Sequence, residues 1–251
     1  MSKFIIDLQA RQLTMLDARF YYDEAGNFVP SVTTILEAYP KDAHFFKWLK
    51  EVGSDADAIR DEAGRRGSVV HQLTEQYDAG EEVSLLNTDG NLQYKMLEWS
   101  MFERYVDFST RFRPEILMSE QNFVDAQLGY AGTLDRVIKM NGKTYLIDIK
   151  TSNVIHDQYW LQLAAYRELL APGLEVDFVG ILHLNAKTRS EGKIGAVQGQ
   201  GWQLITQSNT DKELDLFNKV RELWLVQNKD AKPKKASYTL THKKASGHDV
   251  E

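Results

Sequence analysis

GYAGTLDRVIKMNGKTYLIDIKTSNVIHDQYWLQLAAY, residues 129–166, reads as two strands joined by a tight turn and followed by a helix. Asn141-Gly142 is a strong two-residue hairpin signal, because both residues take positive φ at little cost. Folding the chain about that dipeptide sets 140 opposite 143 and, five steps back, Asp135 opposite Asp148. Cross-strand partners have Cβ atoms roughly 4.5–5.5 Å apart, and like charges so placed repel. A shared divalent cation is the simplest reason for two acids to face each other. Lys150 follows Asp148 by two residues, so strand alternation puts it on the same face. Leu134, Ile147 and Ile149 are expected to point the other way, into a core. The alternative is an exposed sheet face carrying an incidental Asp–Lys pair.

Outward from this hairpin the elements follow in order. Residues 19–29 suggest a short hairpin turned at Ala25-Gly26-Asn27. Pro30-Ser31-Val32-Thr33-Thr34-Ile35-Leu36 opens a helix, with Ser31 or Thr33 as its N-cap. Beyond plain capping, that helix start is a candidate phosphate site. A helix is expected over 43–52, with Phe45, Trp48 and Leu49 near one face. Another is expected over 55–77, with a kink or break at Gly64 or Gly67. Residues 78–90 read as loop. A long amphipathic helix over 91–112 would bury Leu92, Met96, Trp99, Phe102, Tyr105 and Val106.

Strands are expected over 115–124, 128–140 and 143–151, then a helix over 158–170 and a buried strand over 176–184. Residues 186–200 read as a flexible loop, 201–206 as an edge strand, and 211–227 as a last helix with Leu214, Phe217, Val220 and Leu223-Trp224 inward. This is an α/β pattern: one domain over 1–228, made of an N-terminal helical elaboration at about 30–112 and a core at about 113–228. A Lys-rich tail follows from 229 to 251, with six lysines and one aspartate between Lys229 and Lys244.

The 251 residues include no cysteine, which excludes disulfides, thiolate zinc sites and a cysteine-held iron–sulfur cluster. No apolar run approaches the ~18–20 residues of a membrane helix, and the first residues lack a secretory pattern. The expectation is a cytoplasmic protein with no membrane partner. A net charge of −6 argues against nucleic acid only weakly, because bound cations invert the local field.

Phosphodiester hydrolysis requires an activated water, neutralised phosphate charge and help for the leaving oxygen. Asp135 and Asp148, with the carbonyl of Ile149, offer the hard oxygen ligands that Mg²⁺ prefers. Lys150 would stabilise the attacking or developing charge. Glu120, on the preceding strand, would complete a second metal site or orient a water; otherwise it is a solvent-facing glutamate. Gly132 suits a place where backbone passes close to something such as a ligand.

Gly132-Thr133-Leu134-Asp135, Asp148-Ile149-Lys150-Thr151-Ser152 and Gln162-Leu163-Ala164-Ala165-Tyr166 together resemble the GxxD, DxK and QxxxY motifs of the RecB-like branch of the PD-(D/E)XK nuclease superfamily. Arg66-Gly67-Ser68-Val69-Val70-His71 is similar to the upstream helix that supplies a histidine metal ligand in that branch. The Pro30-Ser31-Val32-Thr33 opening resembles that of mitochondrial genome maintenance exonucleases and their phage and bacterial relatives. The resemblance covers about residues 20–185. It implies a restriction-endonuclease-like αβββαβ core with a mixed sheet and extra N-terminal helices. It implies Mg²⁺ dependence, with Mn²⁺ able to substitute, and His71 as a further ligand; the four-cysteine iron–sulfur staple of many RecB-like nucleases is a departure, since a chain without cysteine holds no iron–sulfur cluster.

The implied activity is an exonuclease on single-stranded DNA or duplex ends, in repair, recombination or phage replication, working in the cytoplasm of a bacterium or phage-infected cell, with a recombination or replication protein as possible partner. Gln162, Tyr166 and Thr151 would border the DNA. Arg60, Arg65 and Arg66, and the tail lysines, are candidate phosphate contacts. Two other readings stand beside this one: an endonuclease on the same core, and a non-catalytic DNA-binding protein that kept the fold.

Overall fold

A computed structural model describes residues 5–7, 12–15, 18–22, 28–170, 174–187 and 199–229. The expected turn at 25–27, most of the loop at 186–200 and all but the first residue of the tail at 229–251 lie outside the described residues.

Four short strands come first: β1 (Ile5–Asp7), β2 (Gln12–Met15), β3 (Ala18–Tyr22) and β4 (Phe28–Pro30), paired in that order and antiparallel. The β3–β4 pair is the hairpin expected over 19–29. The first two strands gave no readable signal, being three and four residues long. The helices α1 (Val32–Ile35), α2 (Ala43–Val52), α3 (Ala56–Asp78) and α4 (Met96–Phe112) follow. Next come β5 (Glu115–Asp125), β6 (Tyr130–Met140), β7 (Lys143–Lys150), α5 (Asp157–Leu169), β8 (Phe178–His183), β9 (Gln203–Gln207) and α6 (Asp211–Gln227). The last five strands form one mixed sheet in the order β5-β6-β7-β8-β9, with only the β7–β8 pair parallel. The molecule is an α/β protein with that sheet flanked by helices. Among the described residues no helix is long and apolar enough to cross a membrane.

Alternation along β7 divides the core. Leu146 joins Leu161, Leu163 and Tyr166 of α5 and Phe217 and Trp224 of α6 on one face. Ile147 and Ile149 join Val70 of α3 and Met101, Tyr105 and Phe108 of α4 on the other. The β6–β7 register runs from Met140↔Lys143 to Arg136↔Ile147, with Asn141 at φ 51° and Gly142 at φ 75°. This is the geometry that an Asn-Gly turn favours, because an L-residue other than Asn or Asp resists positive φ.

Several expectations need correction. Helix α3 runs unbroken through Gly64 and Gly67; a Cβ on Gly67 would lie 3.6 Å from the Thr151 hydroxyl, so the glycine marks a close approach. Helix α4 begins at Met96, not 91, because Asn87 accepts the amides of Asp89 and Asn91 and turns the chain first. Leu92 and Met96 are therefore 59% and 58% exposed. Leu223 is exposed on the outer side of α6. Leu134 packs with Val137 and Leu146, on the α5 side, apart from Ile147 and Ile149. Strict alternation thus does not carry through Asp135.

Gly132 does meet a close neighbour, but that neighbour is the protein itself. A Cβ there would lie 2.3 Å from the Tyr166 ring of α5. The small sheet docks nearby, where Tyr21, Val29 and Ala131 cluster and the Tyr21 hydroxyl lies 2.8 Å from that of Thr133. Gly132→Ala must therefore push α5 off β6. It should cost about 1–3 kcal/mol in urea denaturation, with partial recovery when Tyr166→Leu is added. A Gly132→Ala protein as stable as the parent would contradict this packing.

Candidate metal centre

At the end of β7, Asp148 and Lys150 share the face covered by α5. Lys150 Nζ stands 2.7 Å from Asp148 Oδ2 and 3.3 Å from Gln162 Oε1, and lies 4.6 Å from the centre of the Tyr159 ring. Asp148 is buried, and neither of its carboxylate oxygens has a hydrogen-bond partner; its contact with Lys150 is an ion pair without a well-directed hydrogen bond. Burial, reinforced by nearby Asp135, pushes the Asp148 carboxyl above the usual range against the pull of Lys150. Burial would depress Lys150, but Asp148 and Asp135 outweigh it and raise its pKa.

Carried one step further, the hairpin register sets Asp135 opposite Asp148, yet the recorded ladder stops at Arg136↔Ile147. There the Ile149 N–H donates to Asp135 Oδ2 at 2.7 Å. On the other side of β6 the register passes from Ser119↔Arg136 to Gln121↔Leu134. Glu120, between them, has φ 47°, an uncommon conformation for a strand glutamate.

Helix α3 brings His71 to this interruption. Its Nδ1 lies 3.2 Å from Glu120 Oε1 and 3.8 Å from Asp135 Oδ2, and its Nε2 lies 3.0 Å from the Ile149 carbonyl oxygen. Ligand atoms of His71, Glu120 and Asp135 all fall within 4.8 Å of one another, the one such group among the described residues. Asp148 is outside it. The acids that gather with the histidine are thus Glu120 and Asp135, while Asp148 is paired with Lys150.

The other singled-out residues hold varied places. Gln162 and Tyr166 are both buried; Gln162 donates to the Tyr166 hydroxyl at 3.1 Å while its carbonyl faces Lys150. Their polar atoms are used inside the protein, where the Gln162 carbonyl helps position Lys150. Ser31 is buried and caps α1, its Oγ accepting the Thr34 amide at 3.0 Å and lying 2.9 Å from the Thr33 hydroxyl; Thr33 is exposed. Arg65 is taken up by Glu62 and Glu98. Arg66 keeps a buried Nε without a hydrogen-bond partner. Thr151 is buried beside Gly67.

Arg136, which the sequence reading passed over, is 1% exposed. Its Nε donates to Asp78 at 2.7 Å, its Nη1 to the Asp135 carbonyl at 2.7 Å and to Glu120 at 3.2 Å, and its Nη2 to the Thr74 hydroxyl at 3.1 Å. Its place directly after Asp135, within an apolar strand, was the available signal.

The chain matches no protein-family model, and no curated protein matches it.

An imidazole nitrogen, two carboxylates, a backbone carbonyl and an adjacent buried carboxylate form a donor set suited to Mn²⁺ or Mg²⁺. The orphaned oxygens of Asp148 fit the same demand for positive charge. His71 faces a carboxylate with one nitrogen and a carbonyl with the other, so both nitrogens act as donors when the ring is protonated. Burial works against that charge, but Asp135 and Glu120 outweigh it and raise His71 to about 9. A metal ion bound at either nitrogen would displace the proton there.

A raised histidine pKa contributes stability that is complete below about 6.5 and lost as pH climbs through about 9. Protein kept in chelator should lose on the order of 2 kcal/mol between pH 7 and 10 through this ring, after allowance for its partial exposure. His71→Gln should flatten that part of the curve. Parallel stability–pH curves for parent and variant would show that the ring is not held as an imidazolium.

Proposed function

We propose that this protein is a divalent-metal-dependent deoxyribonuclease of the PD-(D/E)XK type, resembling the RecB-like branch, that degrades single-stranded DNA or duplexes from their ends. The observation that carries the reading is the meeting of His71, Glu120 and Asp135 beside the Ile149 carbonyl, next to a buried Asp148–Lys150 pair. The element order adds support: after α3, which bears the histidine, and α4 come three antiparallel strands, a helix, and a strand returning parallel to β7.

His71, Asp135 and the Ile149 carbonyl would hold the metal, with Glu120 and Asp148 adjoining. Bound there, Mg²⁺ or Mn²⁺ supplies Lewis acidity toward water and phosphate and offsets phosphate charge. The chain's own groups do the rest. Lys150 remains protonated despite burial, because Asp148 and Asp135 favour its charge, and so offers a fixed cation to charge that develops on phosphate oxygens. Gln162 and the face of Tyr159 restrict where that ammonium stands. Asp148, poorly solvated and with no hydrogen bond of its own, is a carboxylate ready to ligate or to accept a proton.

The reading is tested by incubating linear and circular DNA with Mg²⁺. The parent should degrade linear DNA and spare covalently closed circles. Asp148→Ala and Lys150→Ala should slow degradation by on the order of 10²–10³-fold or more while remaining folded. Equal loss of linear and circular substrate would replace exonuclease by endonuclease; no cleavage by the parent with either Mg²⁺ or Mn²⁺ would overturn the nuclease reading.

A further inference from the structure

We propose that Arg136 is a positioning residue: a buried guanidinium clamp, completed by Asp78, Tyr105 and Thr74, that sets Glu120 and His71 in place for the cation. The inference rests on the reading of this site as a metal centre. Arg136 is 1% exposed, so it serves neither as a DNA contact nor as a group that touches substrate. What it touches instead is the framework of the centre on three elements. Its Nη1 bonds both the Glu120 carboxylate on β5 and the carbonyl of Asp135, its own neighbour on β6. Its Nη2 bonds the Thr74 hydroxyl, which donates at 2.8 Å to the carbonyl of His71 on α3. Its Nε bonds Asp78, whose same oxygen accepts the Tyr105 hydroxyl of α4 at 2.6 Å. One rigid, planar fork thereby ties together the backbone of two members of the centre and the side chain of the third.

A buried ion pair seldom stabilises a fold more than apolar residues of equal volume would, and Arg136 pairs with Ile147 in the ladder, which belongs to the apolar cluster of Tyr105, Ile138 and Ile149. What an apolar side chain would not do is direct a carboxylate. Glu120, moreover, sits at φ 47°, a conformation that persists only where the surroundings hold it. Among the described residues, Arg136 and His71 are the groups that bond its carboxylate. Removing the fork frees Glu120 to relax, and with it the partner that faces His71 Nδ1.

The test is Mn²⁺ affinity by calorimetry, alongside thermal melts, on the full chain. Groups behind metal ligands typically change affinity 10–100-fold when altered. Arg136→Lys keeps the charge but loses the fork, and should weaken Mn²⁺ binding by about tenfold or more. Thr74→Val, which cuts only the link to His71, should weaken it in the same direction. Ile138→Val, a core change two residues along the strand, should lower the melting temperature and leave affinity unchanged. A parent that binds Mn²⁺, with Arg136→Lys and Thr74→Val binding equally well at reduced melting temperature, would overturn the clamp alone and leave the metal centre standing. A parent that binds neither Mn²⁺ nor Mg²⁺ would overturn both. If Arg136→Lys does not fold, Thr74→Val decides.

Discussion

The β6–β7 ladder gives up a backbone pairing at Asp135, and the Ile149 amide is satisfied by the Asp135 carboxylate instead. A buried amide must find a partner, so this exchange is what allows the two strands to part without an orphaned donor. The consequences spread from there. The Ile149 carbonyl is left facing His71 Nε2, Glu120 takes its strained turn opposite Asp135, and β7 ends with buried Asp148 paired to half-buried Lys150. Had Asp135 been apolar, the ladder would have to run on or bury an unpaired N–H at a cost of about 1–3 kcal/mol.

The charges around this gap are unequal. Asp78, Glu120, Asp135 and Asp148 face Arg136, Lys150 and, when protonated, His71. With the imidazole neutral, two fixed cations stand against four carboxylates. A divalent ion matches that deficit, and a proton on His71 meets only half of it. In the proposed metal-bound state, that ion would take the place of the His71 proton.

How much of this could be read from the chain depends on where the information sits. The Asn141-Gly142 turn is local, since two positive-φ residues between alternating runs specify the hairpin and its register, and α2, α5 and α6 appeared within a residue of their bounds for the same reason. Asp148 and Lys150 stood out as charges in an apolar strand. Gly132 announced a close approach, but not that Tyr166 makes it, because that contact joins β6 to a helix more than thirty residues on. The start of α4 was misplaced because the Asn87 side chain turns the chain ahead of an apolar pattern that already looks helical. Arg136 had one local signal, a charge directly after Asp135 in an apolar strand, but its partners lie on α3, α4 and β5, and no spacing along the sequence points to them. The short strands β1 and β2 carry too few residues for a period to show.

The central claim is that a hard divalent cation belongs in the gap beside Asp135. Crystals grown with Mn²⁺ and measured at the manganese absorption edge test it most directly. The account predicts an anomalous peak in contact with His71, Asp135 and the Ile149 carbonyl oxygen. A map with no peak there, while His71 keeps its contacts to Glu120 and Ile149, would contradict it.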